Sequence, residues 1–359
     1  MRRWIWIVCA VIFWGIGLAQ WRNLLPFDGQ VFADFGEGAG VGARALAQLE
    51  EQEWERGESK ALPGLAAWSV EREVQVENTG LGRVCSADCM AVYGDRSAAV
   101  SRDLAHGSFG LRSDRDTCVI SRGLADALFG SEDVVGKSVR CRGKAYTVRG
   151  VMRDKERMIV IPAGMEAEGG KETQNGAGQD ILRYLLLDFR SANREMTAGG
   201  EAARSFLARY NLGTPRYLVD GTVGPAAAGF FLLLPLAAVL GRWAWTARKR
   251  TPGGLPITCL GAAAGVAGAV LLLGAAGTRF PEELLPTRWS DFDFWARRWR
   301  EMVPALRFAG EPGQTRWILL LRGRCAAAAS GFAGAGFALL MASAKRTPDC
   351  KRNVIDTPP

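Results

Sequence analysis

Residues 117–151 read TCVISRGLADALFGSEDVVGKSVRCRGKAYTVRGV, and the order of elements in this stretch decides the fold class. Cys118-Val119-Ile120 is a short apolar run of the kind that forms a buried strand. Ser121 stands where an N-cap is needed for a helix with Leu124, Ala125, Leu128 and Phe129 on one face, and Gly130 ends that helix. After Gly136, Val139 and Cys141 alternate with Ser138, Arg140 and Arg142. Gly143-Lys144 offers a turn, and Tyr146, Val148 and Gly150 then alternate with Ala145, Thr147 and Arg149. Strand, helix and hairpin in succession predict an α+β domain.

The pattern extends on both sides. Trp68, Val70, Val74 and Val76 alternate with polar neighbours as one half-buried strand. Strands are expected at 158–161, 184–189 and 216–219, and a helix at 202–210. Residues 42–56 (GARALAQLEEQEWER) read as a helix continuing a stalk, and residues 164–179, rich in Gly, Glu and Gln, read as a mobile loop.

Beyond this polar middle lie four apolar runs without charge: residues 4–21, 222–241, 255–278 and 325–344. Each has the length needed to cross ~30 Å of hydrocarbon at 1.5 Å per residue. With 48% of the residues apolar, the mean hydropathy is only +0.01 because the polar middle averages these runs out. The first run follows Arg2-Arg3 and ends near Gly17-Leu18-Ala19, which also suits a cleaved signal. Its load of Trp4, Trp6, Phe13, Trp14 and Trp21 favours an uncleaved anchor.

Basic residues cluster before the first run (Arg2, Arg3), between the second and third (Arg242, Arg248, Lys249, Arg250) and after the fourth (Lys345, Arg346, Lys351, Arg352). With four crossings these clusters share one side, so both termini are expected in the cytoplasm and the α+β domain outside. The expected layout is a first transmembrane helix at 1–21, the outer domain at 22–220 and a second helix at 221–241. A basic cytoplasmic linker at 242–254, a third helix at 255–278, an outer amphipathic linker at 279–324, a fourth helix at 325–344 and a cytoplasmic tail at 345–359 complete it. In the outer linker, Trp289, Phe292, Trp295 and Trp299 recur at spacings of three to four, which suits a helix lying on the membrane surface or packed on the outer domain. The net charge of +8 sits largely in the membrane flanks, where it meets lipid headgroups, so no nucleic-acid partner is expected.

The run from Val119 to Val151 resembles the signature of the MacB-like core domain of ABC transporter permeases of the MacB/FtsX type. Ile120, Leu124, Ala125, Leu128, Phe129, Gly130, Asp133, Gly136, Lys137, Tyr146, Val148, Gly150 and Val151 carry the resemblance. It implies one membrane helix, a large outer domain and three further helices. It also implies a non-enzymatic permease paired with a separate cytoplasmic ATPase, dimeric with itself or another permease, and engaged in export or mechanotransmission. The alternative is a membrane-anchored sensor or binding protein without an ATPase.

On that reading the ATPase would grip the linker after the second helix, with Trp243 and Trp245 as apolar anchors and Arg248, Lys249 and Arg250 as charges, although 242–254 is short for a coupling helix. Gly261 and Gly265, and Ala327, Gly331 and Ala335, place small residues four apart, suited to close helix packing within the chain or at a dimer seam. No catalytic, cofactor or metal site is expected. The run GEGAGVG at 36–42 lacks a P-loop lysine and a preceding buried strand, and reads as a flexible linker. His106 reads as a solvated loop residue. Among Cys85, Cys89, Cys118 and Cys141, two buried thiols on strands are expected, with one disulfide or a metal site as alternatives; Cys9, Cys259 and Cys325 read as membrane packing residues.

Overall fold

The computed structural model describes residues 2–57, 62–164, 181–190, 199–233, 235 and 293–343. The chain divides into two compact units, one of Met1–Asn23, Ala227–Arg279 and Arg324–Pro359, the other of Leu24–Ala226 and Phe280–Gly323.

The first unit is built on α1 (Arg2–Arg22) and the part of α8 (Arg316–Ser343) from Arg324 onward. Both helices are long and apolar enough to cross a membrane. α8 already begins at Arg316, ahead of the apolar run at 325–344. Where the helices meet, their backbones nearly touch: a Cβ on Gly331 would lie 2.8 Å from the Gly17 Cα, and one on Gly17 2.7 Å from the Phe332 ring. Trp6 and Phe337 meet edge to face at 6.3 Å, and Arg324 Nη1 donates to the Asn23 carbonyl at 2.8 Å. Of the second predicted span, α6 (Val223–Leu232) is described; the third lies outside the described residues.

The second unit is an α+β domain on a ten-stranded sheet in the order β12-β1-β11-β3-β4-β9-β6-β8-β5. Its strands are β1 (Gln30–Asp34), β3 (Gly64–Asn78), β4 (Arg83–Gly94), β5 (Leu104–Gly107), β6 (Thr117–Ser121), β7 (Ser138–Cys141), β8 (Lys144–Met152), β9 (Met158–Pro162), β11 (Tyr184–Asp188) and β12 (Tyr217–Asp220). β2 (Val41–Gly42) and β10 (Ile181–Leu182) pair separately. β7 bonds to both β3 and β8, which closes β3-β4-β9-β6-β8-β7 into a ring. The inward residues Val76, Cys89, Ile120, Val139, Val148 and Ile159 are buried in one core. α4 (Arg122–Phe129) packs against β3, β4, β6, β8 and β9, and buries Leu124, Ala125 and Leu128 in that core. α2 (Ala43–Glu55) and α5 (Gly200–Arg209) contribute Leu46, Leu49, Phe206 and Leu207 to the same core.

The stretch 117–151 folds as its residues require. The Ser121 hydroxyl accepts from Leu124 N, and Gly130 ends α4 at φ 71, where a Cβ would be strained. The Asp-x-x-Gly-Lys turn then locks onto the hairpin, since Gly136 N donates to the Val148 carbonyl at 2.7 Å and Val148 N to that of Lys137 at 2.8 Å. Gly150 is required by close approach, because a Cβ there would sit 2.7 Å from the Ser108 carbonyl oxygen.

Several expectations are corrected. The hairpin turn is Arg142-Gly143, with φ 50 and 79, and β8 begins at Lys144; two positive φ values match the twist of a tight hairpin. Trp68, Val70, Val74 and Val76 do not share one face. Between the pairs Glu71↔Cys89 and Val74↔Ala87, β3 carries one extra residue, and this bulge reverses which side chains point inward. Val70 is therefore 42% exposed while Val76 is buried. The helix α2 does not continue α1, because β1 intervenes, buried along its whole length. The Gly-rich run 36–42 is accordingly preceded by a buried strand and is no linker: the Asp34 carboxylate accepts from Gly36 N at 2.8 Å, and Gly40 packs where a Cβ would lie 2.4 Å from the Leu182 carbonyl oxygen. His106 is exposed, on the edge strand β5 rather than in a loop. Nearly all of the loop at 164–179 lies outside the described residues.

Candidate functional site

Within the second unit, the sheet face that does not line the ring holds a cleft of about 950 Å³. Its floor is Trp68 and Val70 of β3, Asp88 and Met90 of β4, Met158 of β9 and Tyr184 of β11. Alternation along the strands puts these residues opposite the ring core: Asp88 and Met90 flank the inward Cys89. Around the floor stand Arg72, Arg102, Arg183 and Arg316, and Glu37, Asp154 and Glu156 join Asp88 as carboxylates.

Some of these charges are committed. Arg183 donates to Asp34 from Nε at 2.8 Å and from Nη2 at 3.0 Å, and its guanidinium lies 4.9 Å from the centre of the Tyr184 ring. Burial raises the Tyr184 phenol above its ordinary value. Arg102 reaches Asp154 at 2.9 Å and Glu156 at 3.6 Å. Among the described residues, Arg72, Arg316 and Asp88 form no ion pair, and the buried Thr315 hydroxyl at the rim has no hydrogen-bond partner. Charges of both signs around a floor of mixed apolar and polar side chains make this a surface suited to binding.

Beside the cleft, an aromatic cluster anchors the first turns of α8. Phe32 stacks on Trp317 at 5.5 Å and on Tyr184 at 5.8 Å, and Trp68 lies 5.8 Å from Phe32. Trp317 Nε1 donates to Gln30 Oε1 at 2.9 Å, and Gln30 Nε2 to Asp188 at 3.1 Å. Burial acts to raise the Asp188 carboxyl, but hydrogen bonds from Arg190 and Gln30 outweigh it and hold the group below its ordinary value. Sequence reasoning missed this cluster because its members lie far apart in the chain, and Trp317 precedes the apolar run.

The four cysteines of the outer domain are free thiols buried on β4, β6 and β7. The Cys141 thiol donates to Cys89 Sγ at 3.8 Å, and no disulfide joins the two in this structure. Burial pushes the Cys118 thiol up to about 12. No group of three or more His, Cys, Asp or Glu among the described residues is placed to hold a metal. Of the residues singled out for helix packing, Gly331 and Ala335 are buried, Gly331 against α1, and Ala327 is half-buried. Gly261 and Gly265, and the coupling residues Trp243, Trp245, Arg248, Lys249 and Arg250, lie outside the described residues.

Residues 8–195 match the model of the MacB-like periplasmic core domain, and the chain belongs to that family. No curated protein matches it. Three solved structures are similar to parts of the chain. The extracellular domain of YknZ, a noncanonic ABC-type transporter from Gram-positive bacteria, is 15% identical, with TM-score 0.35 over 51% of this chain and 95% of its own. The periplasmic region of MacB from Actinobacillus actinomycetemcomitans is 10% identical, with TM-score 0.39 over 54% of this chain and 89% of its own. A domain of a putative permease protein from Porphyromonas gingivalis is 15% identical, with TM-score 0.30 over 52% and 80%.

Proposed function

We propose that this chain is the permease subunit of an ABC transporter, which passes motion from a separate cytoplasmic ATPase across the membrane to its outer domain. It works as a homodimer or with a second permease, and has no catalytic activity of its own. In this reading the chain crosses the membrane four times with both termini in the cytoplasm, and the outer domain is inserted between the first and second crossings. The observation that carries it is membership of the MacB-like periplasmic core domain family over residues 8–195, in a chain with two helices of membrane-spanning length.

Purification of the full chain in mild detergent is the direct test. An ABC ATPase should co-purify, and its hydrolysis should rise in the complex. Trp243→Ala with Trp245→Ala should leave the chain inserted yet weaken both effects; full retention would reduce the linker to an orientation signal. The shortness of the linker at 242–254 favours a second reading, a membrane-anchored sensor that has no ATPase. Under that reading no ATPase is recovered at any detergent strength. Tags at Met1 and Pro359 should be shielded in intact cells while a label near Glu168 reacts; a C-terminal tag accessible from outside would break the four-crossing layout.

A further inference from the structure

The helix α7 (Phe294–Gly310, FWARRWREMVPALRFAG) has two separate apolar faces, and only one of them is used within its unit. Phe308 is buried and stacks on Tyr217 of β12 with ring centres 4.3 Å apart and planes 11° from parallel. Trp295, Trp299, Met302 and Leu306 recur at i, i+4, i+7 and i+11. At about 100° per residue they form one narrow stripe, turned well away from Phe308. On that stripe Trp295 is 54% exposed, Trp299 63% and Leu306 52%.

Arg300 and Arg307 are exposed on the side of the helix between the stripe and the Phe308 face. An indole has an apolar body and a polar N–H, and prefers the boundary between hydrocarbon and water; neighbouring arginines there meet lipid phosphates. The tether is short as well. α8, one of the two helices of membrane-spanning length, starts at Arg316, so a fully extended chain allows at most about 20 Å between Gly310 and that helix, and its uncharged run begins at Cys325, about 13 Å further along the axis.

We propose that α7 is an interfacial helix: the stripe Trp295–Trp299–Leu306 lies in the headgroup layer of an anionic bilayer while Phe308 holds the other face on β12. This rests on the membrane-embedded reading above and names the surface that meets lipid. Benzoylphenylalanine is incorporated in the full chain in place of Trp295, Trp299 or Arg297, the last on another face of the helix. Each protein is reconstituted into vesicles of phosphatidylcholine and phosphatidylglycerol, irradiated, and its adducts identified by mass.

Lipid adducts at positions 295 and 299 should exceed those at 297 by about fivefold or more, the contrast expected of a helix lying in the interface plane. Equal yields at all three positions, no adducts, or cross-links only to a second copy of the chain would overturn the proposal; the last would make the stripe an interface between copies. A chain released from the vesicles by alkaline carbonate would remove the membrane reading and the inference together. A chain that stays embedded without lipid adducts on the stripe would remove the inference alone.

Discussion

The strands β3, β4 and β9 face two different environments, and the contrast explains how the outer domain divides its labour. On the ring side, Val76, Cys89 and Ile159 are closed off from water beside Cys118, Val148 and α4. On the cleft side of the same strands, Val70, Arg72, Asp88 and Met158 face a cavity of about 950 Å³ edged with charge. Neighbours such as Asp88 and Cys89 are opposite in character because successive side chains on a strand point to opposite faces. The ring side can therefore hold the fold together while the cleft side is free to vary in charge without unfolding it.

The strongest challenge to this division is Val148→Asp. Val148 is fully buried in the ring core, so an unpaired carboxylate there should cost roughly 2–5 kcal/mol. Melting of the full chain reads this directly, and an unchanged midpoint would mean that the ring interior is not closed. Trp317→Phe tests the border between the two faces. It keeps the stacking ring but removes the donor to Gln30 Oε1, leaving a buried acceptor unpaired at a cost of about 1–3 kcal/mol. A shift as large as that of Val148→Asp would show that the aromatic cluster, not the ring, is the domain's main support.

A smaller effect is expected at the sheet edge, from Asp220 of β12. Burial raises its carboxyl above the ordinary 3.8, against hydrogen bonds from Thr222 and Gly200. The folded chain thus holds this proton more tightly than the unfolded chain does. The resulting stability is complete below 3.8 and is lost as pH rises through the folded value. The difference in melting midpoint between the native chain and Asp220→Asn should therefore shrink or reverse as pH increases; a difference constant with pH would contradict the assignment. The smallest effect belongs to the cleft, where Arg72→Ala, exposed and without an ion pair among the described residues, should change stability by no more than about 0.5 kcal/mol. A loss of several times that size would mean that the cleft wall supports the fold, and would erase the contrast.

The sequence alone determined the α+β class, the strand–helix–hairpin order of residues 117–151, the caps at Ser121 and Gly130, and the apolar helices at both ends of the described chain. These are set by local spacing and capping, which survive without tertiary contacts. It misread what depends on partners distant in the chain. β1 is only five residues long and is buried because β11 and β12 flank it, and the Gly-rich run after it is ordered by pairing with Leu182. The bulge in β3 reverses the facing of its valines, and no pattern in the strand itself marks where the extra residue falls. The cleft unites Arg72, Asp88, Arg102, Asp154, Arg183 and Arg316, which only sheet order and chain closure bring together. Tertiary structure alone decided that α7 turns Phe308 to β12 and leaves Trp295 and Trp299 to the outside, because a helix with two apolar stripes carries no local signal of which one the sheet will cover.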